Sequence, residues 1–97
     1  MIEVRQTIRF STWLSSLRDV RVKAKILQRI DRARNGNLGD VSPVGDGVSE
    51  MRIFYGAGYR IYFVQRGSAL ILLLCGGDKS TQRTDIADAK GLAKEIE

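Results

Sequence analysis

Two stretches of the sequence, SEMRIF and YRIYFV, alternate charged and apolar residues, as strands with one buried face do. This alternation places Glu50 and Arg52 on one face of the first strand. Arg60 and Tyr62 come to the same face of the next strand, and Lys79 lies in the GGDK corner after the third. Arginine binds phosphate oxygens with its forked guanidinium group, and tyrosine can stack on a base. The shared surface therefore has the chemistry to bind a polyanion.

The same residues also fit an exposed sheet face on which Glu50 forms ion pairs with Arg52 and Arg60. Charged side chains are mostly exposed, and exposed ion pairs are common and contribute little stability. On the residues alone, this second interpretation is favoured, and the polyanion surface stays open beside it.

A second group of cations lies near the start of the chain. Residues 1–35 hold nine Arg or Lys and three acids, a net charge of +6, whereas residues 36–97 hold seven and eight, a net charge of −1. The second predicted helix carries much of this charge, on Arg21, Lys23, Lys25, Arg29 and Arg32. This face has the charge to bind nucleic acid such as ribosomal RNA, an acidic protein or acidic lipid, and it is equally explained as a solvated helix face.

Composition excludes several other kinds of site. A chain of 97 residues supports one core, so we expect a single domain over residues 1–97. One Cys and no His exclude a disulfide framework, a Cys-based zinc site and His-based catalysis, and we expect no metal and no cofactor. Cys75 lies in an apolar run, which predicts a buried, inert thiol. The longest apolar run has seven residues and the first ten do not form a signal peptide, so we expect a soluble, cytoplasmic protein.

The periodicity predicts two consecutive helices after a first strand. An apolar stripe at helical spacing begins at Phe10, and Ser11 or Thr12 is the expected N-cap. Asp19 is the expected N-cap of the second helix, which should end at Asn35-Gly36. The stripe expected to be buried in the second helix comprises Val22, Ile26, Ile30 and Ala33.

A loop, three strands and a last helix complete the expected order. Residues 37–47 read as a loop, because they hold Gly, Asn, Asp and the only Pro. The strands are expected over Val48–Tyr55, Tyr59–Gln65 and Ala69–Cys75, and the helix from Thr81 or Thr84. The order β-α-α-β-β-β-α predicts an α+β fold with a mostly antiparallel four-stranded sheet and a helical hairpin packed on one face. The other face should then be free or only partly covered.

Three blocks of the sequence resemble a known family. They are FSTWLSSLRDVRVKAKILQRIDRARNGNLGD, GVSEMRIFYGAGYRIYFVQRG and LILLLCGGDKSTQRTDI, which together span nearly the whole chain. In this order they resemble the RelE/ParE superfamily of bacterial toxins, and in particular its HigB-like branch of addiction module killer proteins. The SEMRI, GYRIYFV and GGDKSTQ segments carry the resemblance together, and any one of them alone would be weak.

The resemblance implies the toxin of a type II toxin–antitoxin system. Members similar to RelE cleave mRNA inside a translating ribosome, whereas members similar to ParE inhibit DNA gyrase without nuclease activity. In both cases a cognate antitoxin protein silences the toxin. The resemblance therefore implies an mRNA endoribonuclease whose partners are the antitoxin, mRNA and the ribosome, with gyrase inhibition as the alternative. A small basic RNA-binding or partner-binding protein without toxicity is a third reading.

For a ribonuclease of this kind, the resemblance implies that the RNA 2′-OH attacks the adjacent phosphate. Arg52 and Arg60 are then the candidates for stabilising the charged phosphorane. Lys79 would share that role or assist proton transfer, and Tyr62 would stack a base or act as a weak acid. Glu50 is the candidate base, with ion pairing to Arg52 as its competing and preferred role.

Overall fold

The computed structural model describes residues 1–96, which form a five-stranded sheet with helices on both faces. The chain has an α+β fold, as predicted. The sheet order is β1-β5-β4-β3-β2, and every neighbouring pair is antiparallel except β1 and β5. The elements are β1 (Glu3–Gln6), α1 (Ile8–Ser16), α2 (Val20–Arg34), β2 (Val41–Gly45), β3 (Val48–Ile53), β4 (Tyr59–Arg66), β5 (Leu70–Gly77), a short 3-10 helix (Lys79–Thr81) and α3 (Gln82–Glu95).

The prediction of four strands is wrong, because the expected loop at residues 37–47 contains β2. This strand pairs antiparallel with β3 and lies at the edge of the sheet. Pro43 misled the prediction, although proline is compatible with an edge strand, where one side of the backbone needs no partner. Asp46 and Gly47 form the connecting turn with φ of 55° and 77°. An Asp-Gly pair is a strong hairpin signal, since both residues tolerate positive φ.

The first helix begins earlier than predicted. Thr7 is its N-cap rather than Ser11 or Thr12, and the Thr7 side chain accepts a hydrogen bond from the Phe10 amide at 3.0 Å. The same hydroxyl donates to the Leu74 carbonyl at 2.6 Å, so this cap also ties the start of α1 to β5. The second helix starts at its predicted cap, because the side chain of Asp19 accepts a hydrogen bond from the backbone of α2.

Of the two alternatives predicted for the second sheet face, free or only partly covered, the free face is wrong, because α3 packs over β5 and β4. Helices α1 and α2 pack on one face over a core that includes Phe10, Ile26, Met51, Ile61 and Phe63. On the other face, α3 packs over a second core that contains Val48, Tyr62, Leu74, Cys75, Ala89 and Ala93. Strand periodicity separates the two faces of a sheet, but it does not say whether a helix covers each of them. The small alanine side chains of α3 let this helix lie close to the sheet.

Strand β5 continues through Gly76 and Gly77, which were expected to lie in a turn. A Cβ at Gly76 would lie 2.3 Å from Trp13 Cζ3, and one at Gly77 would lie 1.8 Å from Asp85 Oδ2. Both distances are shorter than any real Cβ contact. The glycine pair therefore lets Trp13 on α1 and Asp85 on α3 pack closely on opposite faces of the end of β5.

No helix within residues 1–96 is long and apolar enough to cross a bilayer.

Candidate functional site

A buried carboxylate lies at the centre of the predicted polar surface. Glu50 is only 4% exposed, and its Oε1 accepts a hydrogen bond from Arg52 Nη1 at 3.2 Å. Its Oε2 accepts one from Gln82 Nε2 on α3 at 3.1 Å and lies 3.7 Å from Arg60 Nε. The predicted pairing of Glu50 with both arginines is confirmed. The expectation that these pairs are exposed is wrong, because α3 covers this face.

The guanidinium of Arg52 is held by protein groups on several sides. Its Nε and Nη2 donate to the two carboxylate oxygens of Asp40 at 3.0 and 2.7 Å. Its Nη1 donates to Ser42 Oγ at 2.8 Å in addition to Glu50. The hydrogen bonds to Asp40 raise the pKa of Arg52 above its usual value. Arg52 therefore acts as a clamp that joins β3 to the chain around β2, and a phosphate would have to displace Asp40 to bind it.

Tyr62 does not lie on an open surface, contrary to the prediction. Its side chain is fully buried under α3, and its hydroxyl has no hydrogen-bond partner among residues 1–96. Burial raises the pKa of this phenol, which disfavours its ionised form. In this arrangement Tyr62 cannot stack on a base, and its burial favours a core role.

Arg60 differs from Arg52, because it reaches the wall of an open cleft. Its side chain is 13% exposed, and its Nη1 donates to the Gly58 carbonyl at 3.0 Å. Its buried Nε faces Glu50 without a hydrogen bond. The cleft has a volume of about 380 Å³ and is lined by Phe54, Tyr55, Gly56, Ala57, Gly58, Arg60 and Lys79. We call this the Arg60–Lys79 cleft.

Lys79 joins Arg60 in this cleft through the turn that follows β5. Asp78 caps the short 3-10 helix by accepting a hydrogen bond from the Ser80 amide at 2.8 Å. The backbone amide of Lys79 donates to the Ala57 carbonyl at 3.3 Å, which ties this turn to the loop between β3 and β4. The side chain of Lys79 is exposed beside Gly58, where an added Cβ would lie 3.5 Å from Lys79 Cβ. The cleft therefore contains one exposed cation, Lys79, and one largely buried cation held by protein contacts, Arg60.

Phe54 is a residue of this cleft that was not selected from the sequence. Its side chain is 82% exposed immediately after β3. The available signal was an aromatic residue on the same face of the predicted strand as Glu50 and Arg52. An exposed phenyl ring beside two cations offers a base-stacking surface next to phosphate-binding groups.

The basic residues predicted on α2 do not share one environment. Arg21 and Arg32 are exposed and Lys23 is half-buried. Arg29 instead turns inward, where it donates from Nη2 to the Leu38 carbonyl at 3.0 Å and from Nη1 to the Arg52 carbonyl. Burial is the main cause that lowers the pKa of Arg29. Arg29 therefore fastens the loop before β2 rather than presenting its charge to a partner.

Lys25 connects the basic face of α2 to the cleft. Its Nζ lies 5.0 Å from the centre of the Tyr55 ring, a cation–π distance. Tyr55 is itself part of the cleft wall. A strand of nucleic acid that left the Arg60–Lys79 cleft over Tyr55 would therefore meet Lys25.

Residues 1–96 gather no group of three or more Cys, Asp or Glu side chains able to hold a metal ion.

Comparison with known proteins gives the chain a family. The model of the family described as "Phage derived protein Gp49-like (DUF891)" matches residues 12–95. A protein of Haemophilus influenzae strain Rd is 50% identical over 95 residues, which cover 98% of this chain and 96% of the relative. That relative is described only as an uncharacterized protein. The family match runs from the middle of α1 through α2 and strands β2 to β5 to the end of α3, and so the chain belongs to the Gp49-like family of phage-derived proteins.

Proposed function

We propose that this protein is the toxin of a type II toxin–antitoxin system and acts as a ribosome-dependent mRNA endoribonuclease. The observation that carries the proposal is the Arg60–Lys79 cleft, where two cations and the exposed ring of Phe54 meet. Membership of the Gp49-like family supports the toxin assignment, because this is a type II toxin family of the RelE-like addiction module killer kind. An antitoxin protein is then the expected partner, with mRNA and the ribosome as targets.

Different residues of the cleft would perform different steps of RNA cleavage. The RNA 2′-oxygen attacks the adjacent phosphorus in line, and the bond from phosphorus to the 5′-oxygen of the next nucleotide breaks. Arg60 and Lys79 stabilise the negative charge that grows on the non-bridging oxygens. Phe54 stacks on a neighbouring base and so aligns the two reacting atoms. The products are a 2′,3′-cyclic phosphate and a free 5′-hydroxyl.

Proton transfer in this scheme falls to Lys79 and solvent. The chain contains no His, and Tyr62 and Glu50 are both buried under α3. The Lys79 ammonium is exposed in the cleft and can donate a proton to the leaving 5′-oxygen. The proton of the 2′-OH passes to water or a ribosomal group. Glu50 acts through Arg60, whose Nε it faces at 3.7 Å, and is therefore a positioning residue.

The exposed cations of α2 extend this surface. Arg21, Lys25 and Arg32 stand where ribosomal RNA phosphates could be bound, and Lys25 approaches the cleft through Tyr55. Binding through such contacts weakens steeply as salt is raised, because each contact releases counterions from the RNA. Lys23, half-buried on the same helix, adds to the local potential.

The test is induction of the protein in bacteria, with mRNA 5′ ends mapped and plasmid supercoiling measured in the same cells. Cuts phased with codons and unchanged supercoiling are expected. Relaxed or broken DNA with intact mRNA would instead identify a gyrase inhibitor, and no toxicity at all would remove the toxin assignment.

The variant Lys79→Ala is expected to lower cleavage by about 10²–10³-fold, the usual effect of removing one stabilising group. Lys94→Ala is its matched control, since Lys94 is an exposed lysine near the end of α3 and away from the cleft. Both variants should unfold at the same temperature as the natural protein. Equal cleavage by the two variants would exclude Lys79 from the reaction.

A further inference from the structure

A second recess, of about 620 Å³, takes no part in the proposed reaction. Helix α1 forms one wall through Thr12 and Trp13, and the start of α3 forms the other through Thr81 and Asp85. Its floor is the end of β5. We call this the β5-edge trough.

The floor of the trough is a strand edge without a neighbouring strand. Pairing between β1 and β5 ends at Gln6 and Leu73, whereas β5 continues to Gly77. On its other edge β5 pairs with β4 through Gly77. The hydrogen bond from the Thr7 hydroxyl to the Leu74 carbonyl closes the β1 side just beyond this pairing. Of the following residues of β5, Gly76 is half-buried, whereas Cys75 and Gly77 are buried. The backbone of Gly76 is therefore the accessible part of this edge, and free strand edges accept an added strand.

The glycine pair leaves the backbone at this edge without side chains in front of it. Gly76 and Gly77 carry no side chains, and Trp13 and Asp85 lean over their backbone from opposite walls. Larger side chains at these two positions would fill the trough as well as collide with its walls. An incoming chain can therefore approach the backbone directly, between an aromatic ring and a carboxylate.

The charge of the trough is opposite to that of the protein. The chain carries a net charge of +5, yet Arg9 at the trough wall is ion-paired with Asp88. That pairing leaves Asp78 and Asp85 as the acids of the lining. Asp85 Oδ2 accepts one hydrogen bond, from Thr81 Oγ1 at 2.6 Å, and Asp85 forms no ion pair among residues 1–96. Such a recess repels phosphate and attracts a basic group.

We propose that the β5-edge trough binds an extended segment of a partner polypeptide. The segment adds its backbone to the free edge of β5 around Gly76. Because successive side chains of a strand point to opposite faces, it places a Lys or Arg side chain against Asp85 and the neighbouring side chain against Trp13. Backbone pairing gives affinity, and the acidic wall at Asp85 selects the basic side chain. This site is separate from the Arg60–Lys79 cleft, so its occupation does not depend on the proposed nuclease activity.

Trp13 provides a direct readout, because it is the only tryptophan in the chain and lines the trough. The probe is the blocked peptide acetyl-Thr-Val-Arg-Val-Thr-amide, titrated into the full-length protein while tryptophan fluorescence is recorded. The same peptide with Glu in place of Arg should bind at least about 10-fold more weakly, the worth of one charge-assisted hydrogen bond. A peptide with N-methylated backbone amides should lose binding, since it cannot pair with a strand.

Asp85→Asn is the matched variant in the protein, because asparagine keeps the shape and the contact with Thr81 while removing the charge. This substitution should weaken binding of the Arg peptide by about 10-fold. Asp46→Asn, the same change in the exposed turn between β2 and β3, should leave binding unchanged. Amide chemical shifts in the natural protein supply a second measurement that needs no variant, and the largest changes should fall on residues 75–77.

Three results would overturn the proposal. Equal binding of the Arg and Glu peptides would remove the selection for a basic side chain. If an RNA trinucleotide bound more tightly than the Arg peptide, as measured by the change in Trp13 fluorescence, the trough would be a nucleic-acid site. A concentration-dependent change of Trp13 fluorescence without peptide, together with dimer formation, would identify a second copy of the chain as the occupant.

Discussion

Replacing Glu50 tests whether this carboxylate holds the site together or takes part in catalysis. In Glu50→Ala, the carboxylate that pairs with Arg52 and Arg60 disappears from a position that is 4% exposed. Removing one partner of a buried ion pair costs about 3–5 kcal/mol. The lower end applies here, because Arg52 keeps Asp40 and Ser42 and Arg60 keeps the Gly58 carbonyl. We expect a loss of about 3 kcal/mol, out of the roughly 5–15 kcal/mol that such a domain has in total.

The assay is thermal and urea unfolding followed by circular dichroism. For a domain of this size each kcal/mol shifts the unfolding temperature by about 4–8 °C, so a drop of roughly 12–24 °C is expected. Asp88→Ala is the control, because it breaks an ion pair with Arg9 whose side chains are 51% and 33% exposed. Pairs of that kind contribute about 0–1 kcal/mol.

The reasoning would be refuted if Glu50→Ala were as stable as Asp88→Ala. If that stable variant had also lost RNA cleavage, Glu50 would have to act in the reaction itself, as the base considered from the sequence. A conservative variant separates the roles further. Glu50→Gln keeps an acceptor for Arg52, so a purely structural carboxylate should leave measurable activity in the folded fraction of this variant.

Three further outcomes are expected. Gly76→Ala should destabilise the protein by about 1–3 kcal/mol in unfolding experiments, because its Cβ would collide with Trp13, whereas Gly91→Ala, with nothing within 4 Å in α3, should stabilise it by about 0.5–1 kcal/mol. The hydrogen bond from Arg52 lowers the pKa of Asp40 below its ordinary 3.8, so its stabilisation is present above that pH and lost as the pH falls through the lowered value. The difference in unfolding temperature between the natural protein and Asp40→Asn should therefore be largest at neutral pH. It should disappear as the pH falls well below 3.8. Cys75 is 2% exposed and burial raises its pKa to about 11, so a thiol reagent at pH 7 should label it only after unfolding in urea.

Much of the fold was predictable because local signals agree with the final structure. The Asp19 cap, the buried stripe of α2 and the alternation of β3 and β4 are each decided by neighbouring residues. The first helix was misplaced because three hydroxyl residues compete for its N-cap, and Thr7 wins through a second hydrogen bond to Leu74, 67 positions away. A contact of that range leaves no local pattern.

The sequence predicts which residues of the candidate site lie next to one another, but it does not predict which of them are accessible to a ligand. Register in β3 and β4 places Arg52 opposite Arg60 and Glu50 opposite Tyr62, as strand periodicity requires. Which arginine stays available depends on Asp40, which lies in the stretch read as a loop and forms two hydrogen bonds with Arg52. The burial of Tyr62 depends on α3, which packs through Ala89 and Ala93 with Ile86 and Leu92 beside them. Helical periodicity does not say against which face of the sheet such a helix packs.

The GGDK corner connects these differences. Its glycines were expected to lie beyond the end of the third strand, yet both belong to β5 and are the points where α1 and α3 touch the strand. Because β5 stays extended through Gly77, the 3-10 helix starts directly opposite the loop at residues 56–58, and the Lys79 amide can reach the Ala57 carbonyl. The same extension leaves residues 75–77 of β5 beyond the end of β1. One short extended segment therefore sets the position of a cation in the Arg60–Lys79 cleft and also creates the free edge in the β5-edge trough.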